Sequence, residues 1–357
     1  MITEFRDRET AKKACDRIKE IAKNLDHTKI MHVCGTHEDT ITRYGIRSLL
    51  PENVEVISGP GCPVCVTTGR EIDEAIALAD KGLTVTTFGD MLKVPGSENS
   101  LEGVKAKGGD VRVVYSITDA ARIAAENPDT DVVHIAIGFE TTAPSTAAEL
   151  KTAPENFSVL CCHRTIPNAM DLLLSSGDVK INGFIDPGHV SAIIGLGPYR
   201  PLTEKFNVPQ VIAGFEPLDV LFGILLILEM MENGKAEVKN EYSRVVKDEG
   251  NPRALEIMNE VFQPCDVRWR GFPIIPGSGL ELKEEFSRYD ARKKFNIKVD
   301  DRGEPAGCRC GDILKGLIRP DECPIFGKGC APDKPVGPCM VSSEGACAIA
   351  YKFGKSQ

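Results

Sequence analysis

An α/β protein with parallel sheets is predicted for this 357-residue chain by three observations. Short β-branched runs alternate with helical segments from Lys29 to about Leu228, and most runs end in a turn containing Gly or Cys. A Gly-Phe-Glu turn also recurs after two of them. The first twenty residues, MITEFRDRETAKKACDRIKE, lack the apolar stretch of a signal peptide and read as an amphipathic helix. Eight strands are then expected: KIMHVC (29–34), VEVIS (54–58), LTVTTF (83–88), VRVVYS (111–116), VVHIAI (132–137), FSVLCC (157–162), INGFID (181–186) and PQVIAG (209–214). Gly138-Phe139-Glu140 follows the fifth run and Gly214-Phe215-Glu216 the eighth, each read as a turn opening a helix.

The apolar stretch Val220 to Leu228 (VLFGILLIL) reads as a buried helix, since it is about half of what a bilayer crossing requires. A long polar helix over about 239–262 is expected next, followed by the Pro/Gly-rich stretch FPIIPGSG (272–279). The last fifty residues are loop-rich and hold six of the thirteen cysteines. The expected organisation is two similar α/β domains, 1–117 and 118–232, and a C-terminal helical and loop-rich module, 233–357.

A net charge of -9 without a basic stripe or polybasic run argues against nucleic-acid or membrane surfaces and for a protein partner or small ligand. Thirteen cysteines in a chain with no export signal point to a reducing, cytoplasmic setting, where thiols serve metals or catalysis rather than a disulfide framework.

Cys308, Cys310, Cys323, Cys330, Cys339 and Cys347 lie among turns rich in Pro and Gly. Such turns wrap closely round a bound object and direct backbone N–H groups at sulfur, which suits a 4Fe-4S cluster held by four thiolates. Structural zinc is the alternative, but zinc sites favour paired C-x2-C knuckles, and the gaps here are one, twelve, six, eight and seven residues. Six cysteines exceed four ligands. By chain order Cys308, Cys323, Cys330 and Cys339 are the ligands and Cys310 and Cys347 a redox pair, an arrangement that loosely resembles ferredoxin:thioredoxin reductase.

The second thiol group lies at strand ends. Cys34 opens Cys34-Gly35-Thr36-His37-Glu38, where a helix is predicted from Thr36, with Thr36 a reasonable N-cap and the thiol pKa lowered by the helix N-terminus. The second strand leads through Gly59-Pro60-Gly61-Cys62-Pro63-Val64-Cys65-Val66-Thr67 into a helix over about 69–81. If the two strands are neighbours, Cys34, Cys62 and Cys65 converge where open α/β sheets bind ligands.

The C-P-x-C turn reads either as a thioredoxin-like disulfide pair or as a chelating pair for a soft metal, and Cys34 as a third thiol favours iron or mixed metal and redox use. His37 is a site residue or a hydrogen-bonding histidine. Glu38 is a site residue or a solvated carboxylate. Glu140, Thr141 and Thr142 orient a polar ligand or relay protons, unless the threonines merely cap a helix. His189, in Asp186-Pro187-Gly188-His189, is expected to face the same cleft. Cys15, Cys161, Cys162 and Cys265 read as packed thiols.

Taken together, Cys34-Gly-Thr-His-Glu38, Gly59-Pro-Gly-Cys-Pro-Val-Cys-Val-Thr67, Gly138-Phe-Glu-Thr-Thr-Ala-Pro144 and the C-terminal cysteine segment closely resemble the HypD family of NiFe-hydrogenase maturation proteins. The resemblance spans nearly the whole chain in the family's motif order. It implies a scaffold on which iron receives cyanide and carbon monoxide, forming the Fe(CN)2CO group, before transfer to the hydrogenase large subunit. It also implies a HypC-like chaperone as partner, a HypE-like cyanide donor with HypF upstream, a C-terminal 4Fe-4S cluster, and Cys34, Cys62 and Cys65 as the iron-assembly site. Strong-field cyanide and carbonyl ligands favour low-spin iron(II), which soft thiolates hold while leaving coordination positions open. A cluster-dependent thiol-disulfide oxidoreductase is the rival reading.

Overall fold

The computed structural model describes residues 4–354. All eight expected runs are strands: β1 Thr28–His32, β2 Val54–Ser58, β3 Thr84–Thr87, β4 Val111–Val113, β5 Val132–Gly138, β6 Phe157–His163, β7 Gly183–Pro187 and β8 Gln210–Ala213. Three more follow, β9 Val238–Asn240, β10 Phe262–Arg268 and β11 Ile274–Leu282. They build a five-stranded parallel sheet in the order β2-β1-β7-β8-β9, a four-stranded parallel sheet in the order β4-β3-β5-β6, and an antiparallel β10–β11 pair. The C-terminal cysteine-bearing region is loop-rich with short helices. The α/β class with two parallel sheets is therefore as the alternation predicts. Helices cover both faces of such sheets, so a central strand is buried on both sides; β5 is buried along its whole length.

Sheet membership crosses residue 117. The chain lays down β1 and β2, leaves to build the whole second sheet over 84–163, then returns with β7 to pair against β1 through Ile30↔Gly183 and His32↔Ile185. The two Gly-Phe-Glu turns consequently follow strands of different sheets, β5 and β8. One apolar core joins them, with Met31, Val33 and Ile57 of the first sheet continuous with Val85, Ile135 and Ile137 of the second.

Helix Arg8–Ala22 begins with Asp7 accepting from the Thr10 N–H at 2.7 Å and packs Ile18 and Ile21 against Ile224 and Ile227 of helix Pro217–Glu232. These four isoleucines are fully buried, and each such side chain contributes roughly 1.5–3 kcal/mol. The expected buried helix over Val220 to Leu228 thus lies inside the longer one. Among the described residues no helix is long and apolar enough to cross a membrane.

The long polar helix expected over 239–262 is a correction. The segment holds β9, a run of turns, and only then helix Pro252–Val261. Gly250 adopts φ +70°, and a Cβ there would lie 2.3 Å from the Ile193 carbonyl oxygen, so the backbone turns where a helix would continue. Asn251 then caps the new helix by accepting from the Ala254 N–H at 3.1 Å, with Pro252 in its first turn. The Pro/Gly-rich stretch 272–279 enters β11; its prolines are tolerated because a two-stranded pair consists of edges.

Each parallel sheet reverses its strand order once, between β1 and β7 and between β3 and β5. Ligands bind at the carboxyl ends of strands at such switch points. Cys34 follows β1, Asp186 and Pro187 close β7, Asp90 follows β3 and Glu140 follows β5.

Candidate functional site

The turn after β1 is held open for chemistry by the turn after β2. The Gly35 N–H donates to the Gly61 carbonyl at 3.1 Å, and Gly61 approaches so closely that a Cβ would lie 2.1 Å from Cys34 N and from Val33 C. Only glycine fits. Cys34, Cys62 and Cys65 consequently line one recess together with His32, Glu38 and Glu344. The sequence-based expectation that the three thiols share a recess is met because β1 and β2 are adjacent and parallel, in the register His32↔Ser58.

Cys34 is the N-cap of helix Gly35–Arg43, without a side-chain capping bond, so the helix starts one residue before the expected Thr36. Thr36 instead donates through Oγ1 to Glu344 Oε1 at 3.3 Å, tying the C-terminal segment over the turn. The expected lowering of the Cys34 pKa is reversed. Burial pushes the thiol up to about 11, and the neighbouring Glu344 carboxylate adds to it, outweighing the backbone N–H groups of Thr36 and His37. Cys34 is therefore a neutral thiol until something cationic displaces its proton.

Cys62 and Cys65 are joined by a disulfide of 2.17 Å. Cys62 caps the short helix Pro63–Val66, its sulfur accepting from the Cys65 N–H at 3.2 Å, with proline in the first turn where no N–H is required.

Glu38 is not the solvated carboxylate weighed from the sequence. Its Oε2 accepts from Ser58 Oγ at 2.6 Å and Arg47 Nη2 at 2.6 Å, and Oε1 from Thr42 Oγ1 at 2.7 Å and Arg47 Nη1 at 2.9 Å. Both ring nitrogens of His32 face acceptors, Glu38 Oε2 at 2.7 Å and the Cys34 carbonyl at 3.1 Å. Burial alone raises a carboxyl pKa; the Arg47 guanidinium and His32 outweigh it and hold Glu38 well below the usual range. Glu38 thus acts on Cys34 through His32, by fixing the backbone that carries the thiol.

His37 has the hydrogen-bonding role. Its Nε2 donates to the carbonyls of Gly214 (2.9 Å) and Ala213 (3.2 Å), pinning the end of β8 to the helix that follows Cys34. Burial lowers its pKa to about 3, with His32 adding to the effect, so the ring is neutral. His189 is exposed and stacks on Phe215 with ring centroids 4.1 Å apart, and Phe215 lies 5.0 Å from His37. It reaches His37 only through Phe215 and does not line the thiol recess.

At the second switch point Gly138 adopts φ +136°, and a Cβ there would lie 1.7 Å from Thr142 Oγ1. Thr142 Oγ1 donates back to the Ile137 carbonyl at 3.1 Å, closing the turn, and makes no side-chain cap for helix Ala143–Leu150. Thr141 is exposed. Glu140 is buried, accepts from the Ile166 N–H through Oε1 at 3.1 Å, and has no partner for Oε2 among the described residues. Burial lifts its pKa to about 7. Asp186, at the first switch point, is fully buried with neither oxygen partnered among the described residues, and burial holds its pKa well above the carboxylate range. Burial holds the Tyr199 phenol well above its ordinary pKa, and the charge of Asp186 adds to it, while its hydroxyl lies 3.0 Å from Ser191 Oγ.

The stability of the chain should carry the mark of Glu140. Its folded pKa lies above the unfolded value, so the folded state binds the extra proton between roughly pH 4.5 and 7 and loses stability as pH rises through that window. The expected loss is on the order of 3 kcal/mol. Denaturant unfolding across pH 4.5 to 8 should show the wild type losing stability relative to Glu140→Gln as pH rises through that window, the buried histidines contributing equally to both; parallel curves would contradict the burial account.

All six C-terminal cysteines line a second recess. Cys310 Sγ lies 2.7 Å from Cys339 Sγ, and the Val336 N–H donates to Cys330 Sγ at 3.3 Å. The close sulfur contact thus joins Cys310, one of the expected redox pair, to Cys339, one of the expected ligands. The helix Cys310–Leu314 stands between the two recesses, with Ile313 lining both. Cys15 and Cys162 are buried, whereas Cys161 and Cys265 are half-buried.

The HypD family model, described as a hydrogenase formation hypA family, matches residues 9–354. The chain belongs to the HypD family. It is 45% identical to the hydrogenase maturation factor HypD2 of Bradyrhizobium diazoefficiens, over 99% of this chain and 96% of that protein. The hydrogenase maturation factor HypD of Cupriavidus necator is 43% identical, over 99% of this chain and 97% of its own length. A Methanocaldococcus jannaschii protein carrying a hydrogenase expression/formation name is 52% identical, over 97% and 98%.

The resemblance to HypD read from four motifs is thus borne out along the whole chain. Several residues that shape this HypD-family site carry no signal of their own in the sequence: His32, Arg47 and Ser58 act through contacts made only on folding. Glu344 alone had a local cue, an acid followed by glycine between two cysteines in Val341-Ser-Ser-Glu-Gly-Ala-Cys347.

Proposed function

We propose that the chain is a hydrogenase maturation scaffold of the cytoplasm, on which iron is held by cysteine thiolates while it acquires the ligands of the Fe(CN)2CO group. The observation that carries this reading is the convergence of Cys34, Cys62 and Cys65 on one recess at the carboxyl ends of the adjacent parallel strands β1 and β2, in a HypD-family chain. Iron is the cargo here. Its charge displaces the proton from the buried Cys34 thiol, and reduction of the Cys62–Cys65 disulfide by two electrons and two protons frees two further sulfur ligands. The recess is closed on one side by the turn after β2 and on the other by Glu344, and the remaining coordination positions stay open to cyanide and carbon monoxide. A HypC-like chaperone shares the iron, a HypE-like donor with HypF upstream supplies cyanide, and the hydrogenase large subunit receives the product.

The donor set of the second recess fits a 4Fe-4S cluster: thiols in excess of four, an N–H directed at Cys330, and apolar walls from Ile313, Phe326 and Met340. When bound, such a cluster supplies single electrons. Its ligands would be four of Cys308, Cys310, Cys323, Cys330, Cys339 and Cys347, leaving two thiols for exchange. Replacing each of the six by Ala and counting iron and sulfide is expected to divide them four against two. Full cluster content in all six variants would contradict a four-thiolate site.

Infrared spectra of the chain purified anaerobically with its HypC-like, HypE-like and HypF partners test the scaffold reading. Cyanide and carbonyl stretches on bound iron are expected in the wild type and absent from Cys34→Ala, which keeps the fold because a buried alanine replaces a buried thiol. Their absence from the wild type would leave the oxidoreductase reading, which the Cys62–Cys65 disulfide favours; there, cluster-dependent reduction of a protein disulfide is the activity to measure.

A further inference from the structure

Most of the lining of the Cys34 recess belongs to regular elements: β1, β2 and the turns that follow them, and the helix Cys310–Leu314, which presents Ile313 and Leu314. The rest comes from Glu344 and Ala346. The run Ser342-Ser343-Glu344 has no apolar side chain to bury, so polar contacts hold this side of the recess in place.

Those contacts reach both parallel sheets. Asp90, in the turn after β3, accepts on Oδ2 from the Ser343 N–H at 2.9 Å and from the hydroxyls of Ser342 and Ser343 at 3.1 Å each. Glu344 sits on the turn that carries Cys34. Thr36 Oγ1 donates to its Oε1, and a Cβ on Gly35 would lie 2.4 Å from Glu344 Cβ and 2.5 Å from its carbonyl oxygen. Ser342 Oγ also accepts the Glu344 N–H at 3.2 Å, so one hydroxyl ties the contact at Asp90 to the seat on Gly35. The run thus crosses from the strand ends of the second sheet to those of the first, beside the buried Cys34.

Its two ends are fixed differently. The Ser342 N–H donates to the Pro338 carbonyl at 3.0 Å. Beyond Glu344, Gly345 lies so close to Cys339 that a Cβ would fall 2.2 Å from its carbonyl oxygen, and Ala346 begins a helix that packs on helix Gly35–Arg43. Lifting the run between these anchors breaks hydrogen bonds without exposing apolar side chains of its own, and local opening is easiest where few apolar contacts are buried. Three of the hydrogen bonds end on one oxygen of Asp90, and bonds to a charged acceptor are the strong ones.

We propose that Ser342–Glu344 is a strap that closes the thiol recess and that Asp90 is the positioning residue that latches it. Held, the strap shields Cys34 and retains what the recess binds; released, it opens the recess. Shielding of Cys34 depends on contacts within this chain alone, whereas retention of iron rests on the reading that Cys34, Cys62 and Cys65 hold it.

The first measurement is the rate of Cys34 alkylation by iodoacetamide on the full chain, followed peptide by peptide in a mass spectrometer. Asp90→Ala is expected to raise that rate at least about tenfold, the effect of one charge-assisted hydrogen bond on an opening equilibrium. Asp90→Asn should stay within about threefold of the wild type, because its amide oxygen still accepts while the charge is gone. Labelling of Cys15 and Cys162, buried in helix Arg8–Ala22 and in β6, should not change. Where Asp90→Ala does not fold, Ser342→Ala combined with Ser343→Ala serves; it removes two of the three donors and should raise the Cys34 rate at least about threefold. A Cys34 rate unchanged in Asp90→Ala, an Asp90→Asn rate equal to that of Asp90→Ala, or a parallel rise at Cys15 and Cys162 overturns the latch.

The second measurement is loss of ferrous ion from the disulfide-reduced chain to a chromogenic ferrous chelator, counted as the difference from Cys34→Ala. Asp90→Ala should lose this iron at least about tenfold faster and Asp90→Asn at close to the wild-type rate. Equal loss from all three overturns the strap's part in retention. A reduced wild type that binds no Cys34-dependent ferrous ion sinks the iron-site reading instead, and the alkylation rates then decide the strap by themselves.

Discussion

Gly61→Ala is expected to abolish iron loading on the chain while leaving most of its secondary structure in place. The added methyl would lie 2.1 Å from Cys34 N and Val33 C, which are backbone atoms with no rotamer to yield, so the turn after β2 must retreat from the turn after β1. That retreat breaks the Gly35 N–H bond to the Gly61 carbonyl and moves Cys62 and Cys65 away from Cys34. Overpacking of this kind costs typically 1–3 kcal/mol, which a chain of this size tolerates. A displacement of an ångström or more at a three-thiolate site removes a ligand from reach. Far-UV circular dichroism close to the wild type, with cyanide- and carbonyl-bearing iron reduced at least tenfold in the complex with a HypC-like partner, is the expected result. Wild-type loading in Gly61→Ala would falsify the view that apposition of these two turns builds the site.

The second large effect is on stability, from Glu38→Ala. The substitution deprives Arg47, His32, Ser58 and Thr42 of their common acceptor in one step. Removing one partner of a buried ion pair costs about 3–5 kcal/mol, and the quarter exposure of Arg47 brings the expectation to about 3 kcal/mol. Glu38→Gln should fall between, because an amide keeps part of the hydrogen bonding without the charge. The pH dependence has a definite sign. The folded pKa lies below the unfolded one, so the stabilisation is complete above roughly pH 4.5 and declines as pH falls through the folded pKa. Urea unfolding at pH 7 and at intervals below pH 5 should show the wild type losing stability on acidification and Glu38→Ala losing less. A midpoint for Glu38→Ala equal to the wild type at pH 7 would show the network to be energetically neutral.

The two buried networks explain why the site is not visible residue by residue in the chain. Glu38 stands in a recognisable pentapeptide, yet its role depends on Arg47, nine positions on, and on Ser58 at the end of another strand. His37 reads as a site residue or a hydrogen-bonding histidine until the end of β8 supplies two carbonyls for its Nε2. The Cys34 thiol lies at a helix N-terminus, which lowers a pKa in an exposed setting, but here burial and Glu344 dominate and raise it. In each case the local signal is real and the environment reverses or redirects it.

The sequence by itself determined the eight parallel strands, the helices at both ends of the α/β portion, the six-cysteine C-terminal region and the family, because β-branched periodicity, cysteine spacing and motif order are local properties of the chain. It did not determine which strands share a sheet. Pairing of β1 with β7 across some 150 residues depends on apolar faces that match only after both are formed. The break in the expected helix over 239–262 comes from Gly250 packing on Ile193, a contact between distant segments. The tertiary structure alone set the protonation preferences of Cys34, Glu140 and Asp186, since desolvation is a property of surroundings. It alone set Arg270, at the tip of the β10–β11 hairpin, against the carbonyls of Val66 and Thr67 that follow Cys65.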